Sequence, residues 1–166
     1  MEKIIRLTKA HHKDFVNINK VIRETITNSS WFMPISIDHL ENIFDANSTL
    51  LVYGAEVDGK IACVSAYDTD KEECSELTRA LGIESDKVAE IGCSMTLPEY
   101  RGKNLMHKVN LELVKEAKQK GFEYLVATAH PDNIASNKSL AKLGMECKAQ
   151  IVRAKKYLRN VYMIKL

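Results

Sequence analysis

The chain has 166 residues, of which 45% are hydrophobic and 28% are charged, so it is long enough to bury one sizeable core. The formal net charge of +2, from 24 basic and 22 acidic residues, excludes the strong basic excess of a dedicated nucleic-acid-binding protein. The cysteines lie too far apart for zinc or redox motifs, so no metal is expected. No apolar run approaches the roughly 20 residues of a membrane-spanning helix, and the first residues are too charged for a secretory signal. We therefore expect a soluble, cytoplasmic protein with no nucleic-acid or membrane partner.

The first half of the chain predicts a strand, two helices, a hairpin and a further small helix. In chain order these are a strand over residues 3–7, a helix capped by Thr8, a short helix after Ser36 or Asp38, strands over 50–57 and 60–67, and a small helix over 71–81 that Gly82 ends. Asp58-Gly59 joins the two hairpin strands. This pair is a preferred two-residue hairpin turn because both of its positions take positive φ.

The second half predicts a β-α-β unit followed by another helix and two strands. In chain order these are a strand over 88–97, a helix from about Leu105 to Gly121, a strand over 124–129, a helix from Asp132 or Asn133 to Gly144, and two strands between Cys147 and Leu166 with a turn near residues 157–160. The strands of a β-α-β unit are parallel. With no linker or repeat, we predict a single domain over residues 1–166 in the α/β (α+β) class. Its mixed, mostly antiparallel sheet would have a central parallel unit and helices on both faces.

The turn between the first parallel strand and its helix is the candidate site for an anion. A helix N-terminus leaves about four backbone N–H groups without partners and carries roughly half a positive charge. Arg101, Gly102 and Lys103 place two cations and a glycine at that position. Neither a nucleotide P-loop pattern nor a Gly-x-Gly-x-x-Gly dinucleotide pattern is present. An anion-binding turn and an ordinary solvated turn both stay open at this point.

Two stretches of the second half resemble the conserved motifs of the GNAT family of N-acetyltransferases. Residues 97–105, Leu-Pro-Glu-Tyr-Arg-Gly-Lys-Asn-Leu, resemble the family's motif A, and residues 133–145 resemble its motif B. The order of the predicted elements is similar to the GNAT fold over essentially the whole chain. The turn departs from the family pattern, because Asn104 stands at the first glycine and Met106 at the second small position.

The resemblance implies an enzyme that transfers an acetyl group directly from acetyl-CoA to a primary amine of a small molecule, an amino acid or a peptide. It implies that backbone N–H groups over residues 102–106 hold the pyrophosphate, that the strand edge at 95–97 pairs with pantetheine, and that motif B contacts the cofactor arm. The residues assigned to coenzyme A are Met95, Thr96, Leu97, Arg101, Gly102, Lys103, Asn104, Leu105, Met106, Asn133 and Ser136.

Catalytic residues are harder to assign from the sequence. The acceptor amine must lose a proton, because a lysine-type amine has a pKa near ~10.4. Glu90 is the candidate general base, since carboxylates on this strand take that role in relatives; an ion-paired glutamate is the alternative. The family's usual acid, a motif B tyrosine, is replaced by Leu140, so Tyr157 and Tyr162 are candidates for protonating the thiolate. The leucine also keeps open a second hypothesis, a non-catalytic acyl-CoA-binding or sensing domain.

Acceptor specificity is expected to come from the loop between the first two helices and from the insert at residues 68–87. The loop carries an aromatic, apolar run that begins at Trp31, and we predict that Trp31 walls the acceptor pocket, with capping of the core as the alternative. The sequence does not identify the acceptor. A homodimer also stays open, because dimers are common for the fold that the resemblance implies.

Overall fold

The computed structural model describes residues 1–166, which form a single mixed sheet of seven strands. The strands are β1 (Glu2–Arg6), β2 (Leu50–Val57), β3 (Lys60–Asp68), β4 (Val88–Thr96), β5 (Tyr124–Ala129), β6 (Glu146–Arg153) and β7 (Tyr157–Lys165). The helices are α1 (His12–Thr25), α2 (Ile37–Asn42), α3 (Lys71–Leu81), α4 (Leu105–Gln119) and α5 (Ile134–Lys142). No helix is both long enough and apolar enough to cross a membrane.

The order of the strands in the sheet is β1-β2-β3-β4-β5-β7-β6. Every neighbouring pair is antiparallel except β4 and β5, which are parallel and are connected through α4. The predicted α+β class, the central parallel unit and the hairpin at Asp58-Gly59 are therefore confirmed. Both hairpin turn residues have positive φ, +49° and +81°.

Helices cover both faces of the sheet because the strands carry buried side chains on both sides. On one face, α4 and α5 pack over a cluster that includes Ala89, Leu113, Leu125 and Leu140. On the other face, α1 and α2 cover a second cluster at the β3–β4 end, and α3 covers a third at the β5–β7 end. The central strands are thus buried from both sides, and only their ends reach the solvent.

The predicted turn of the final hairpin is wrong in position. The chain reverses at residues 154–156, where Ala154 and Lys155 have positive φ, rather than near 157–160. Asn160, at the end of the predicted turn, lies inside β7 and donates a hydrogen bond from its side chain to Asn137 of α5. No glycine marks the true turn, and the strands on either side determine it by their pairing, Arg153 opposite Tyr157.

Candidate active site

The parallel strands β4 and β5 separate at their C-terminal ends. Their pairing covers only Val88–Ile91 against Tyr124–Ala127, although β4 continues to Thr96 and β5 to Ala129. The edge of β4 that faces β5 is therefore unpaired beyond Ile91. This opening lies at the carboxyl ends of parallel strands, where ligands bind in open α/β sheets.

A β-bulge in β4 accounts for the separation. Cys93 has a φ of +51°, and the register against β3 shifts between Val64 and Ala66, so two residues of β4 lie opposite Ser65. A bulge bends its strand and increases the local twist, which turns the end of β4 away from β5. Ser94 and Ser65 are hydrogen-bonded through their hydroxyls at 2.8 Å across this bulge.

The thiol at the bulge is not a nucleophile at neutral pH. Burial raises the pKa of the Cys93 thiol to about 12, and the negative charges of Glu90 and Asp68 act in the same direction. Only the thiolate form of cysteine attacks carbonyl groups. Cys93 is therefore a poor candidate for a nucleophile at this site.

The turn between β4 and α4 leaves the N-terminus of the helix uncapped. Gly102 and Asn104 take positive φ of +75° and +63°, and α4 begins at Leu105. Asn104 occupies the position of the N-cap, but its side chain accepts no bond from the first helical N–H groups. Its Oδ1 instead accepts a hydrogen bond from Lys142 of α5 at 2.7 Å. The N–H groups of the first turn of this 15-residue helix are therefore free for an anion.

Several cations surround this helix end. Lys142 reaches Asn104, and Lys103 lies over the ring of Tyr100, with its Nζ 5.0 Å from the centroid. Arg101 is exposed, and its Nε lies 3.4 Å from the carbonyl oxygen of Thr96 at the end of β4. The sequence predicted Arg101 and Lys103 at this site but missed Lys142, which comes from the far end of α5.

His107 lies in the first turn of α4 and is a second residue that the sequence did not assign. Its Nδ1 is buried without a hydrogen-bond partner. Burial lowers the pKa of the imidazole, and the charge of Lys142 lowers it further. These two effects favour the neutral form of His107.

The apolar residues of motif A pack inward. Leu105 is buried, and Met106 packs against the same cluster between α4 and the β2–β3 strands. The bulky Met106 side chain therefore does not cover the helix end. Met95 and Leu97 are buried beneath α1, and Thr96 pairs with Cys63 of β3. The residues predicted to contact pantetheine thus present their backbone, not their side chains, to the opening.

The N-terminus of α5 meets the other side of the opening. Asn133 is the N-cap of α5, and its Oδ1 accepts a hydrogen bond from the N–H of Ser136 at 3.2 Å. Asn137 donates to the carbonyl oxygens of Asn133 and of His130, which follows β5. The motif B residues are thus held together at the end of β5, although their contact with a cofactor stays a prediction.

Leu140, which replaces the usual tyrosine, is buried in the cluster under α4 and α5. Tyr162 of β7 belongs to the same cluster, and its hydroxyl donates a hydrogen bond to Asn137 Oδ1 at 2.6 Å. Burial raises the pKa of Tyr162, so this hydroxyl keeps its proton at neutral pH. Tyr157 lies on the opposite face of the sheet. Of the two candidate tyrosines, Tyr162 is the one beside the position that the family's acid would occupy.

Glu90 forms an ion pair that the sequence left as an alternative. Its two carboxylate oxygens accept hydrogen bonds from Nη1 and Nη2 of Arg153, the latter at 3.2 Å. Arg153 is buried and the Glu90 side chain is only 12% exposed, and Arg153 also lies 3.5 Å from a carboxylate oxygen of Glu76 in α3. Burial raises the pKa of Glu90, and the guanidinium of Arg153 opposes that shift. Glu90 faces the α3 side of the sheet, one residue before β4 and β5 part.

Trp31 lies in a short 3-10 turn over Ser29–Trp31, between α1 and α2. Its side chain is half-buried and its Nε1 is buried without a partner. The following residue, Phe32, packs against the cluster beneath α1 and α2. The loop therefore both covers the core and leaves an unpaired indole N–H on the Glu90 side of the sheet.

The side chains that the sequence missed share one property: their partners come from distant parts of the chain. Arg153 belongs to a strand of the C-terminal tail, and its partner Glu90 is 63 residues away. Lys142 contacts a residue 38 positions away. No local pattern signals such pairs. The structure contains no group of three or more His, Cys, Asp or Glu side chains that could hold a metal ion.

Comparison with known proteins gives a consistent result. A model of the acetyltransferase (GNAT) family matches residues 15–145. No curated protein sequence is similar enough to the chain to count as a relative.

Several solved structures share the fold. An N-acetyltransferase from Staphylococcus aureus Mu50 is 18% identical with a TM-score of 0.76, and 100% of this chain and 98% of that chain are covered. The yncA protein of Salmonella typhimurium, determined with its cofactor acetyl-CoA, is 19% identical with a TM-score of 0.75, covering 99% and 94% of the two chains. NAA60 of Arabidopsis thaliana in complex with acetyl-CoA is 10% identical with a TM-score of 0.74, covering 100% and 99%. At these identities the likeness shows the fold.

Proposed function

This chain belongs to the GNAT family of acetyltransferases, and we propose that it transfers the acetyl group of acetyl-CoA directly to a primary amine of a small molecule, an amino acid or a peptide. We propose one acetyltransferase domain over residues 1–166. The observation that carries the proposal is the uncapped N-terminus of α4, which adjoins the opening between β4 and β5 and is surrounded by cations. The cytoplasmic location stays a prediction.

The donor site is built from backbone groups. The N–H groups over residues 102–106 bind the pyrophosphate, because an uncapped helix N-terminus with a left-handed turn before it presents its donors outward. Arg101, Lys103 and Lys142 add positive charge around it. The unpaired edge of β4 at residues 95–97 binds the pantetheine amides as a strand partner would, and Asn133 and Ser136 contact the arm from the other side.

The amine approaches from the α1–α3 face, where Glu90 lies. Bound acetyl-CoA supplies a thioester carbonyl that the amine can attack. Glu90 removes the proton of the amine through water, since its buried carboxylate lies one residue before the opening. Trp31 lines the acceptor side, and a backbone N–H near Met95 or Thr96 polarises the carbonyl, as donors of an oxyanion hole do.

The buried Leu140 supports a second candidate, a domain that binds acyl-CoA without turning it over. The structure offers the Tyr162 hydroxyl near that position, but the hydroxyl already donates to Asn137. The two functions differ in one measurable step, the release of free coenzyme A thiol in the presence of an amine.

The test combines binding and turnover. Calorimetry with acetyl-CoA measures affinity, and a thiol-release assay over a panel of primary amines measures transfer. We expect Gly102→Asp to weaken acetyl-CoA binding by about a hundredfold or more, because the new carboxylate lies beside the bound phosphates. A Cβ at Gly102 meets no atom within 4 Å, so the fold should survive this change.

Gly121→Asp is the matched control. Gly121 also has positive φ, +80°, and open space at its Cβ, but it lies at the opposite end of α4. Gly121→Asp should therefore introduce a backbone strain similar to that of Gly102→Asp and leave acetyl-CoA affinity unchanged. Equal affinity of wild type and Gly102→Asp would contradict the site. Binding without thiol release from any amine would favour the second function, and no binding by the wild type would contradict both.

A further inference from the structure

Arg159 of β7 is a buried guanidinium with no carboxylate partner. Only 2% of the residue is exposed, and no ion pair within 4.0 Å involves it. Its Nη1 donates to the carbonyl oxygen of Leu158 at 2.7 Å, whereas its Nη2 is buried without any acceptor. An uncompensated buried charge is costly, so its retention in the interior needs a reason.

The position of Arg159 connects it to the proposed active site. It lies directly opposite Ile151 and two residues from Val161, and both of those pack in the cluster under α3, so Arg159 points to that face. The last pair between β5 and β7 is Ala129 with Asn160. Arg159 therefore lies just beyond the end of β5, at the end of the sheet where β4 and β5 separate.

Arg159 also neighbours the Glu90–Arg153 pair. Burial lowers the pKa of Arg159, and the charge of Arg153 lowers it further. Arg153 in turn holds Glu90 of β4, so Arg159 belongs to the same polar region of the α3 face as the candidate base. The acidic groups of that region, Glu73, Glu76 and Glu90, are all directed at Arg153. Arg159 is left without a counter-ion.

We propose that Arg159 binds a carboxylate of the acceptor substrate, so that the preferred acceptor is a primary amine that also carries a carboxylate, such as an amino acid. The assignment rests on the proposed acetyltransferase function and specifies its acceptor. The free Nη2 supplies the donor, and charge-assisted bonds from a guanidinium to a carboxylate are among the strongest hydrogen bonds in proteins.

The surroundings favour a singly charged anion over a phosphate. Glu73, Glu76 and Glu90 already bring negative charge to Arg153, which lies next to Arg159, and a doubly charged phosphate would be repelled by them. A carboxylate instead neutralises Arg159, which has no counter-ion of its own. Tyr157 covers the guanidinium, with its ring centroid 5.3 Å from Cζ, and is itself only half-buried. For a substrate carboxylate to reach the guanidinium, the Tyr157 side chain has to rotate away.

The experiment compares matched acceptors in the thiol-release assay with acetyl-CoA at saturation. The acceptors are L-phenylalanine, L-phenylalaninamide and phenethylamine, with L-alanine and L-alaninamide as a smaller pair. We expect the wild type to prefer each carboxylate over its amide. Arg159→Met should lower kcat/KM for the carboxylates by about a hundredfold, the usual size of losing one partner of a buried charge pair, and leave the amides nearly unchanged.

Lys165→Met is the control, because Lys165 is an exposed cation near the other end of the same strand; it should leave the preference intact. The melting temperature of Arg159→Met adds a second readout. It should not fall below that of the wild type without ligands, because the change removes an unpaired buried charge.

Arg159→Met could instead lose kcat/KM equally for carboxylates and amides and have a lower melting temperature. This result would mean that Arg159 has only a structural role, and it would overturn the assignment. Thiol release from amines without any carboxylate preference in the wild type would also overturn it while leaving the acetyltransferase function standing. Thiol release from no acceptor at all would contradict the proposed function and the assignment together.

Discussion

At the scale of single residues, the buried pair of Glu90 and Arg153 decides how the candidate base can act. A buried carboxylate is a stronger base than an exposed one, because desolvation disfavours its charged form. The guanidinium of Arg153 weakens this effect and at the same time fixes the orientation of the carboxylate through two hydrogen bonds. The pair therefore offers an ordered base beside the opening, with its pKa raised by burial.

Glu90→Gln tests the base directly. We expect kcat/KM to fall by about a hundredfold or more, the usual contribution of a general base. A base works only when deprotonated, so the activity of the wild type should decline as the pH falls through the pKa of Glu90. Because that pKa is raised, the decline should begin at a higher pH than for an ordinary glutamate. The measurement is a pH profile of kcat/KM for both proteins.

Glu73→Gln is the control for this profile. Glu73 approaches the same guanidinium at 4.0 Å, but its side chain is 56% exposed. Removing an exposed ion pair has little effect, so its activity should stay within about twofold of the wild type. If kcat/KM of Glu90→Gln declines at the same acidic pH as that of the wild type, the group that titrates is not Glu90.

At the scale of one element, the entry into α4 shows how a non-glycine turn can replace the family's glycine pattern. Asn104 adopts the left-handed conformation at φ +63°, which asparagine tolerates better than most residues. Its side chain then bonds to Lys142 instead of capping the helix, so the N–H groups stay free. Asn104 therefore adopts a left-handed turn conformation without capping the helix.

Asn104→Gly and Asn104→Ala should shift stability in opposite directions. Glycine adopts positive φ without strain, whereas alanine at a left-handed position costs about 1 kcal/mol or more. We expect the glycine variant to be at least as stable as the wild type and the alanine variant to lose about 1 kcal/mol, measured by urea unfolding. Acetyl-CoA affinity should be kept in the glycine variant.

Lys142→Met distinguishes the contribution of the hydrogen bond to stability from that of the backbone conformation of the turn. It removes the contact with Asn104 Oδ1 but leaves the turn unchanged. A surface contact of this kind contributes little, so its unfolding curve should match that of the wild type. If Asn104→Gly and Lys142→Met are destabilised equally, the hydrogen bond, not the turn conformation, holds the entry into α4.

At the scale of the whole molecule, Arg153 joins three elements that are distant in sequence. From the end of β6 it reaches Glu90 of β4 and the glutamates of α3. Two strands, β5 and β7, lie between β4 and β6 in the sheet. The ion pair therefore holds the final hairpin and α3 over the centre of the sheet, on the face that the acceptor would use.

Arg153→Met should destabilise the protein by about 3–5 kcal/mol, because it leaves Glu90 buried without its partner. The double variant Glu90→Leu with Arg153→Met should recover most of this loss, since an apolar pair needs no counter-ion. Urea unfolding of the wild type, Glu90→Leu, Arg153→Met and the double variant gives the coupling energy between Glu90 and Arg153. A double variant no more stable than Arg153→Met would show that Arg153 stabilises the fold through α3 rather than through Glu90.

The fold was largely predictable because its signals are local, and the proposed donor site rests on a local signal as well. Periodic apolar residues predicted the helices, Asp58-Gly59 predicted the hairpin, and the strand-turn-helix at residues 97–105 predicted an anion site, which stays a prediction. The final turn at 154–156 was misplaced because strand pairing, not a turn residue, sets it. The bulge at Cys93 carried no sequence signal either, although it opens the sheet.

By itself the sequence determined the fold class, the helix N-terminus at residues 101–106 and the resemblance that implies the donor, since each depends on neighbours along the chain. Only the tertiary structure decided that β4 and β5 part beyond Ile91, that Glu90 is paired with Arg153, and that Arg159 is buried without a counter-ion. These features depend on which distant side chains meet across the sheet, and burial then sets the strength of their charges. The proposed donor site thus depends on residues that are neighbours along the chain, whereas the proposed acceptor site depends on the packing of distant ones.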